Sequence, residues 1–156
     1  MKNRIGLNQE KSVELIDKLN ILLANYQIYY MNVRGFHWNI KGDKFFELHA
    51  KFEELYNDLL IKVDEIAERV LTLGGNPTHA YSDYLKLSSI QEVKNTNDSD
   101  GTIQSLLSSF NILLSKQRDI LEFSSNANDE GTGALMSDYI REQEKLVWMY
   151  SAFLNN

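Results

Sequence analysis

The chain has 156 residues, 43% hydrophobic and 24% charged, with a formal net charge of −6 at neutral pH. That balance fits one soluble globular domain, residues 1–156, with a sizeable core; the acidic surplus excludes a general nucleic-acid binder and suits cations as ligands. Cysteine is absent, which excludes disulfides and thiolate metal sites and fits a reducing cytoplasm.

A helical period runs from about Asn8 to Trp38, with Val13, Ile16, Leu19, Leu23, Tyr26, Tyr30 and Val33 as its inward stripe. The start of that segment, MKNRIGLNQEKSVELID, has no apolar region of the signal-peptide kind. The triplet KGD at 41–43 breaks the chain, and Asp43 is placed to cap a second helix from about Lys44 to Leu73. GGNP ends that helix, with glycine for the C-cap and proline beyond it. Residues 74–101 are too long a link for a bundle turn; within them SDYLKL (82–87) reads as a short capped helix and KNTNDSDG as a polar loop. A third helix follows from about Thr102 to Phe123, with Asp100 as candidate cap, and a fourth from about Thr132 to Phe153. Trp148 and Tyr150 near its end read as core and subunit contacts. No strand-like alternation competes, and no apolar run approaches the roughly 20 residues that span a bilayer. Two short links and one long crossover between the second and third helices make an all-α, ferritin-like four-helix bundle.

On a wheel of 100° per residue the second helix divides into three arcs. Phe45, Leu48, Phe52, Leu55, Leu59, Ile66, Val70 and Leu73 form the core face, and Glu47, Lys51, Glu54, Asp58, Glu65 and Arg69 a solvated one. The third arc mixes His49, Glu53, Asp64 and Glu68 with Leu60 and Leu71, flanked by Tyr56 and Ile61. Carboxylates among apolar residues need compensation if covered. His49 with Glu53, and Asp64 with Glu68, are i, i+4 pairs that each offer two ligands to one ion, and imidazole with carboxylate suits Fe, Mn or Zn. The pair centres lie about 22 Å apart along the helix at about 1.5 Å per residue, too far for one ion. The numbering supplies a solution: the matches 49 to 68 and 53 to 64 share a midpoint between Asp58 and Leu59. A two-fold axis there joins His49 and Glu53 of one chain to Asp64 and Glu68 of another, twice over. His37, at the end of the first helix, reaches the His49 end; Trp38 beside it either shields the site from water or packs in the core.

At these residues the sequence resembles the Dps proteins (DNA-binding proteins from starved cells), the miniferritins of the ferritin-like group. HWNIKGDKFFELHAKFE (37–53) resembles the first family motif, VDEIAERVLTLGGNP (63–77) the second, and EQEKLVWM (142–149) is similar to the usual fourth helix. The resemblance implies a cytoplasmic shell of twelve subunits built from two-fold dimers. It further implies that the shell oxidises Fe(II), commonly with hydrogen peroxide, stores ferric mineral and protects the cell from oxidative stress. Its ferroxidase ligands, at dimer interfaces, fall on His37, His49 and Glu53 of one chain and Asp64 and Glu68 of the other. Glu53 stands where many members have aspartate.

The resemblance also implies acidic pores on a three-fold axis near the start of the fourth helix, lined by Asp129 and Asp138; Asp129 equally suits a helix N-terminus by charge alone. DNA-binding members use lysine-rich arms, whereas this arm has only Lys2, Arg4 and Lys11 beside Glu10 and Glu14, so DNA binding is expected to be weak or absent. His79 has no partner at ligand spacing and reads as surface or packing. One rival is a ferritin with its di-iron centre inside one bundle, but that design wants Glu-x-x-His pairs and the sequence has none. The other rival is a DNA-compacting or structural shell without ferroxidase activity.

Overall fold

In a computed structural model describing residues 1–155, the chain forms five helices: α1 (Gln9–Asn39), α2 (Phe45–Thr72), α3 (Tyr81–Leu87), α4 (Ser99–Asn126) and α5 (Glu130–Phe153). The four long ones make the bundle, and α3 lies in the crossover between α2 and α4. α1 packs against α2, α3 and α4, so it is buried on more sides than one stripe allows. Leu15, Leu22 and Tyr29 join the expected core residues. Val13, expected inside, is exposed because the buried face of this turn is carried by Ser12, Leu15 and Leu19 instead. The eight apolar positions read as the core face of α2 are buried, with Phe45 at the rim.

Two of the expected caps are displaced. The α1–α2 reversal closes through Gly42, whose φ of 113° is open to glycine at little cost, and Phe45 N donates to its carbonyl at 3.2 Å. The cap position therefore falls on Lys44, which makes no side-chain cap, and Asp43 is left in the turn. At α4 the cap is Asp98, two residues before Asp100: its carboxylate accepts from Gly101 N at 2.8 Å. Asp100 sits in the first turn, where its charge still suits the helix dipole.

Three asparagines of α1 hold the crossover. Asn20 exchanges hydrogen bonds with Asn76 and Thr78, Asn25 accepts from the backbone N–H groups of Ser89 and Ile90, and Asn32 bonds both Gln91 and Val93. Each side chain stands in for a missing strand or helix partner, so an irregular segment can lie on the bundle with its backbone satisfied. No described helix is long and apolar enough to cross a membrane.

Candidate metal centre

Only residues 40–44 separate α1 from α2, so the last turn of α1 meets the first turns of α2 and His37 comes to rest on His49. Their rings stack at 3.8 Å between centroids, 13° from parallel. His37 Nδ1 lies 2.6 Å from the backbone oxygen of His49, and His49 Nδ1 lies 2.8 Å from the backbone oxygen of His37. A carbonyl only accepts, so both Nδ1 atoms carry and donate a proton. With Nδ1 committed to a carbonyl, Nε2 is the nitrogen of each ring left to bind a metal, which it does as the lone pair of a neutral imidazole. The reciprocal bonds also satisfy the carbonyl of His37, one of the orphan acceptors at the end of α1. Phe45 stacks beyond His49 at 5.0 Å, and Tyr56 meets His37 edge-on at 5.3 Å. This aromatic column locks both imidazoles.

Glu53 follows His49 by one turn, and its carboxylate approaches His37 Nε2 at 3.6 Å, beyond hydrogen-bond length. His37, His49 and Glu53 are thus brought together within one chain. Asp64 and Glu68 are not: they lie exposed further along α2, their pair centre about 22 Å from the first. Among the described residues of the single chain, no three His, Asp or Glu side chains converge closely enough to hold an ion. The same face exposes Leu60 and Ile61 between the two half-sites, at 49% and 61%, and Leu71 beyond the second, at 55%.

The ferritin-like domain family matches residues 16–156. A "DNA protection during starvation protein" of Porphyromonas gingivalis is 43% identical over 95% of this chain and 93% of its own length. An uncharacterized protein of Haemophilus influenzae is 58% identical, covering 97% and 94%. The solved Vibrio cholerae Dps, described as a member of the ferritin-like diiron-carboxylate proteins, superposes with a TM-score of 0.97 at 58% identity, covering 98% of this chain and 96% of that one. The chain is a Dps-type member of the ferritin-like family. Iron storage is the role that fits this family.

The interior of this Dps bundle is filled in a way the sequence reading did not foresee. Tyr26 donates to Gln117, Gln117 donates to Gln143 at 2.8 Å, and Gln143 donates back to the Tyr26 hydroxyl at 2.7 Å, a closed ring of neutral groups. Beside it Lys62 is 4% exposed, its ammonium 2.8 Å from Asp58, 3.3 Å from Glu142 and 5.2 Å above the Tyr139 ring. A lysine three residues after Leu59 and four before Ile66 is on core register, a signal the wheel carried. Glu65 accepts from the Tyr139 hydroxyl at 2.9 Å, and Arg69 reaches α5. The arc read as solvated is therefore partly the α2–α5 seam, because α5 supplies polar partners there.

The two aspartates read as pore liners differ. Asp129 is the N-cap of α5: its carboxylate accepts from Thr132 N at 3.0 Å, from the Thr132 hydroxyl at 2.5 Å and from Arg69 at 2.7 Å, and its side chain is 1% exposed. Gly131 admits that arginine, since a Cβ there would stand 2.7 Å from the guanidinium. Within the chain Asp129 therefore acts as a helix cap, the alternative its position before α5 offered. Asp138 is exposed and paired only with Arg141, one turn on. Trp38 and Trp148 are exposed rather than packed in the core, whereas Tyr150 is buried. His79 is exposed, with Nδ1 at 3.0 Å from the carbonyl of Pro77.

Proposed function

We propose that this protein oxidises Fe(II), with hydrogen peroxide as oxidant, at sites shared by two copies of the chain. The ferric product is stored inside a shell of twelve subunits assembled from two-fold dimers, which protects the cell from the combination of peroxide and iron. One observation carries the reading: the reciprocal His37–His49 bonds occupy both Nδ1 atoms and leave Nε2 of each ring for a metal, that of His37 beside the Glu53 carboxylate, with only half a coordination set in the chain. The two-fold match across the Asp58–Leu59 midpoint supplies Asp64 and Glu68 from the second copy and covers Leu60, Ile61 and Leu71. The apolar strip drives the pairing, and the acidic ends are compensated by the ion they bind. In the reaction each of two Fe(II) ions gives up one electron, and the peroxide O–O bond accepts both with two protons, forming two waters. The protein holds the metal through few ligands, as sites with open positions for an oxidant do.

DNA compaction is the second reading, favoured by the names of the relatives. The arm argues against it. Residues 1–8 are folded back: Asn3 accepts from the backbone N–H groups of Ile5 and Leu7 and donates to the Ser12 hydroxyl, and Lys2 pairs with Asn8. Lys2 and Arg4 are thus held on a short hook rather than on a reaching arm.

Complementation between inactive variants tests the shared site. A His37→Ala/His49→Ala chain and an Asp64→Asn/Glu68→Gln chain, each inactive alone, are dissociated and reassembled together. Mixed dimers contain one intact and one dead site, so about a quarter of the wild-type sites return under random pairing. Mixed dimers, detected by differential tags, that oxidise no Fe(II) would show that the half-sites do not combine.

A further inference from the structure

Arg34 lies one turn before His37 on the same helix. Its guanidinium is ringed by aromatic faces, with its central carbon 5.1 Å from the Trp38 centroid, 5.4 Å from Tyr56 and 5.8 Å from Tyr30. Nη1 donates to the Tyr30 hydroxyl at 2.8 Å. Nε is buried without an acceptor, the one such side-chain atom among the described residues. No described carboxylate of the chain pairs with this arginine, although every other charge placed in or beside the bundle interior has a partner: Lys62 with Asp58 and Glu142, Arg69 with Asp129. Aromatic faces hold the cation from above; Nε is sealed inside the chain, and Nη2, which has no bond among the described residues, is the edge left for an acceptor from outside. A planar guanidinium, pre-aimed and short of an acceptor, is built to meet a carboxylate from outside the chain.

The two-fold register says which one. Tyr56 touches both His37 and Arg34, so Arg34 lies beside the shared site, displaced along α2 from Glu53 toward Tyr56. Across the axis Asp64 stands opposite Glu53 and Ile61 opposite Tyr56; Asp58 and Asp64 both lie three residues from Ile61, but Asp58 is already held by Lys62 through both oxygens. We propose that Arg34 is a positioning residue that binds the partner subunit's Asp64, fixing that carboxylate at the rim of the site and holding the dimer together before any metal arrives. The inference rests on the two-fold dimer proposed above. It goes beyond it in giving the metal-free interface a cation of its own, so that acidic half-sites meet without repulsion. A cost follows: the guanidinium competes with a divalent ion for the same carboxylate.

Sedimentation in chelator and with Zn2+, a redox-inert probe, tests this. Wild type should stay assembled in both. Arg34→Leu should dissociate in chelator at protein concentrations about tenfold or more higher than wild type, and Zn2+ should restore its assembly. Asp64→Asn should show the same defect in chelator, and the double variant should be no worse than either single. Should Arg34→Leu lose helix by circular dichroism, the charge-swapped pair carries the test: Arg34→Glu and Asp64→Arg should each dissociate, and the chain bearing both should assemble. Arg34→Leu assembling like wild type in chelator, additive losses in the double variant, or coupling to Glu68 in place of Asp64 would each overturn the proposal. Failed complementation between half-site variants would instead condemn the dimer register itself.

Discussion

Asp129 separates two accounts of the acidic residues near the start of α5, and the two predict opposite phenotypes. In the structure its carboxylate is the cap of α5 and the sole anion on Arg69, which is itself 20% exposed. Losing an N-cap costs about 1 kcal/mol. Breaking a buried ion pair costs about 3–5 kcal/mol, and because Arg69 keeps its bond to the Thr132 hydroxyl and some solvent, about 2 kcal/mol is appropriate here. Asp129→Asn retains a cap acceptor and loses the charge, so about 2 kcal/mol is expected; Asp129→Ala loses both, about 3 kcal/mol. For a chain of this length each kcal/mol moves the thermal midpoint by about 2–4 °C, giving falls of about 4–8 °C and about 6–12 °C. Asp138→Asn removes only an exposed pair, 61% and 70% accessible, and should shift the midpoint by no more than about 1 °C. Calorimetry in chelator at fixed protein concentration reads the midpoints, and stopped-flow Fe(II) oxidation reads uptake. The capping account is refuted if Asp129→Asn melts with wild type while iron uptake slows. Slowed uptake in Asp138→Asn alone would leave that residue as the pore liner, and unchanged uptake would remove it from the pathway.

Lys62→Met should unfold in urea within about 1 kcal/mol of wild type, since a chain of similar volume replaces a buried ion whose partners Asp58 and Glu142 are 42% and 49% exposed and free to rehydrate. Lys62→Ala should lose about 3 kcal/mol, chiefly through the cavity; equal losses in the two would show that the charge, not the volume, holds the α2–α5 seam. Burial raises the phenols of Tyr26, Tyr29, Tyr139 and Tyr150 above the ordinary value of 10.0. A raised folded-state pKa means the native chain keeps protons that the unfolded chain releases. Stability is then fully present below about pH 10 and lost as the pH rises beyond it, and the phenolate absorbance of these four should appear together with the loss of helix, not before it.

What was legible in the sequence is what periodicity and numbering encode. The core face of α2 is a pattern of one residue type at one spacing, and folding can only bury it. The separation of His49 and Glu53 from Asp64 and Glu68 on one helix is arithmetic, so it was visible before any coordinates that one chain does not bring all four to one ion. That His37 reaches the His49 end was legible too; the stacking of the rings and their bonds to each other's carbonyls were not, because they depend on how tightly the turn at Gly42 closes. Caps went wrong by one or two residues for a related reason: Asp98 and Asp100 are both acceptable acceptors by type, and only the backbone path out of the crossover chooses between them. The ion pair that holds Asp129 was not legible because its partner, Arg69, sits 60 positions away and was assigned to solvent. Polar residues are the hardest to place from sequence, since water and a distant partner satisfy them equally well.

The polar interior supports the proposal that the metal chemistry lies at a seam between chains. A four-helix bundle has room at its centre for inward carboxylates and histidines, and this one has Asp58, Glu65 and Glu142 nearby. Their charge is already answered: Lys62 serves Asp58 and Glu142, and the Tyr139 hydroxyl serves Glu65. The remaining inward polar groups, Tyr26, Gln117 and Gln143, are neutral and bond one another. A divalent ion entering that layer would meet a fixed ammonium and no bare imidazole. The proposed interface is the reverse. Glu53, Asp64 and Glu68 bring three negative charges and Arg34 returns one positive charge, while both histidines keep Nδ1 on backbone carbonyls and leave Nε2 for a metal. Two negative charges are left over, which is the charge of one divalent ion with the opposite sign. Electrostatics inside the bundle are closed within the chain; at the seam they close only when a second chain and a cation arrive.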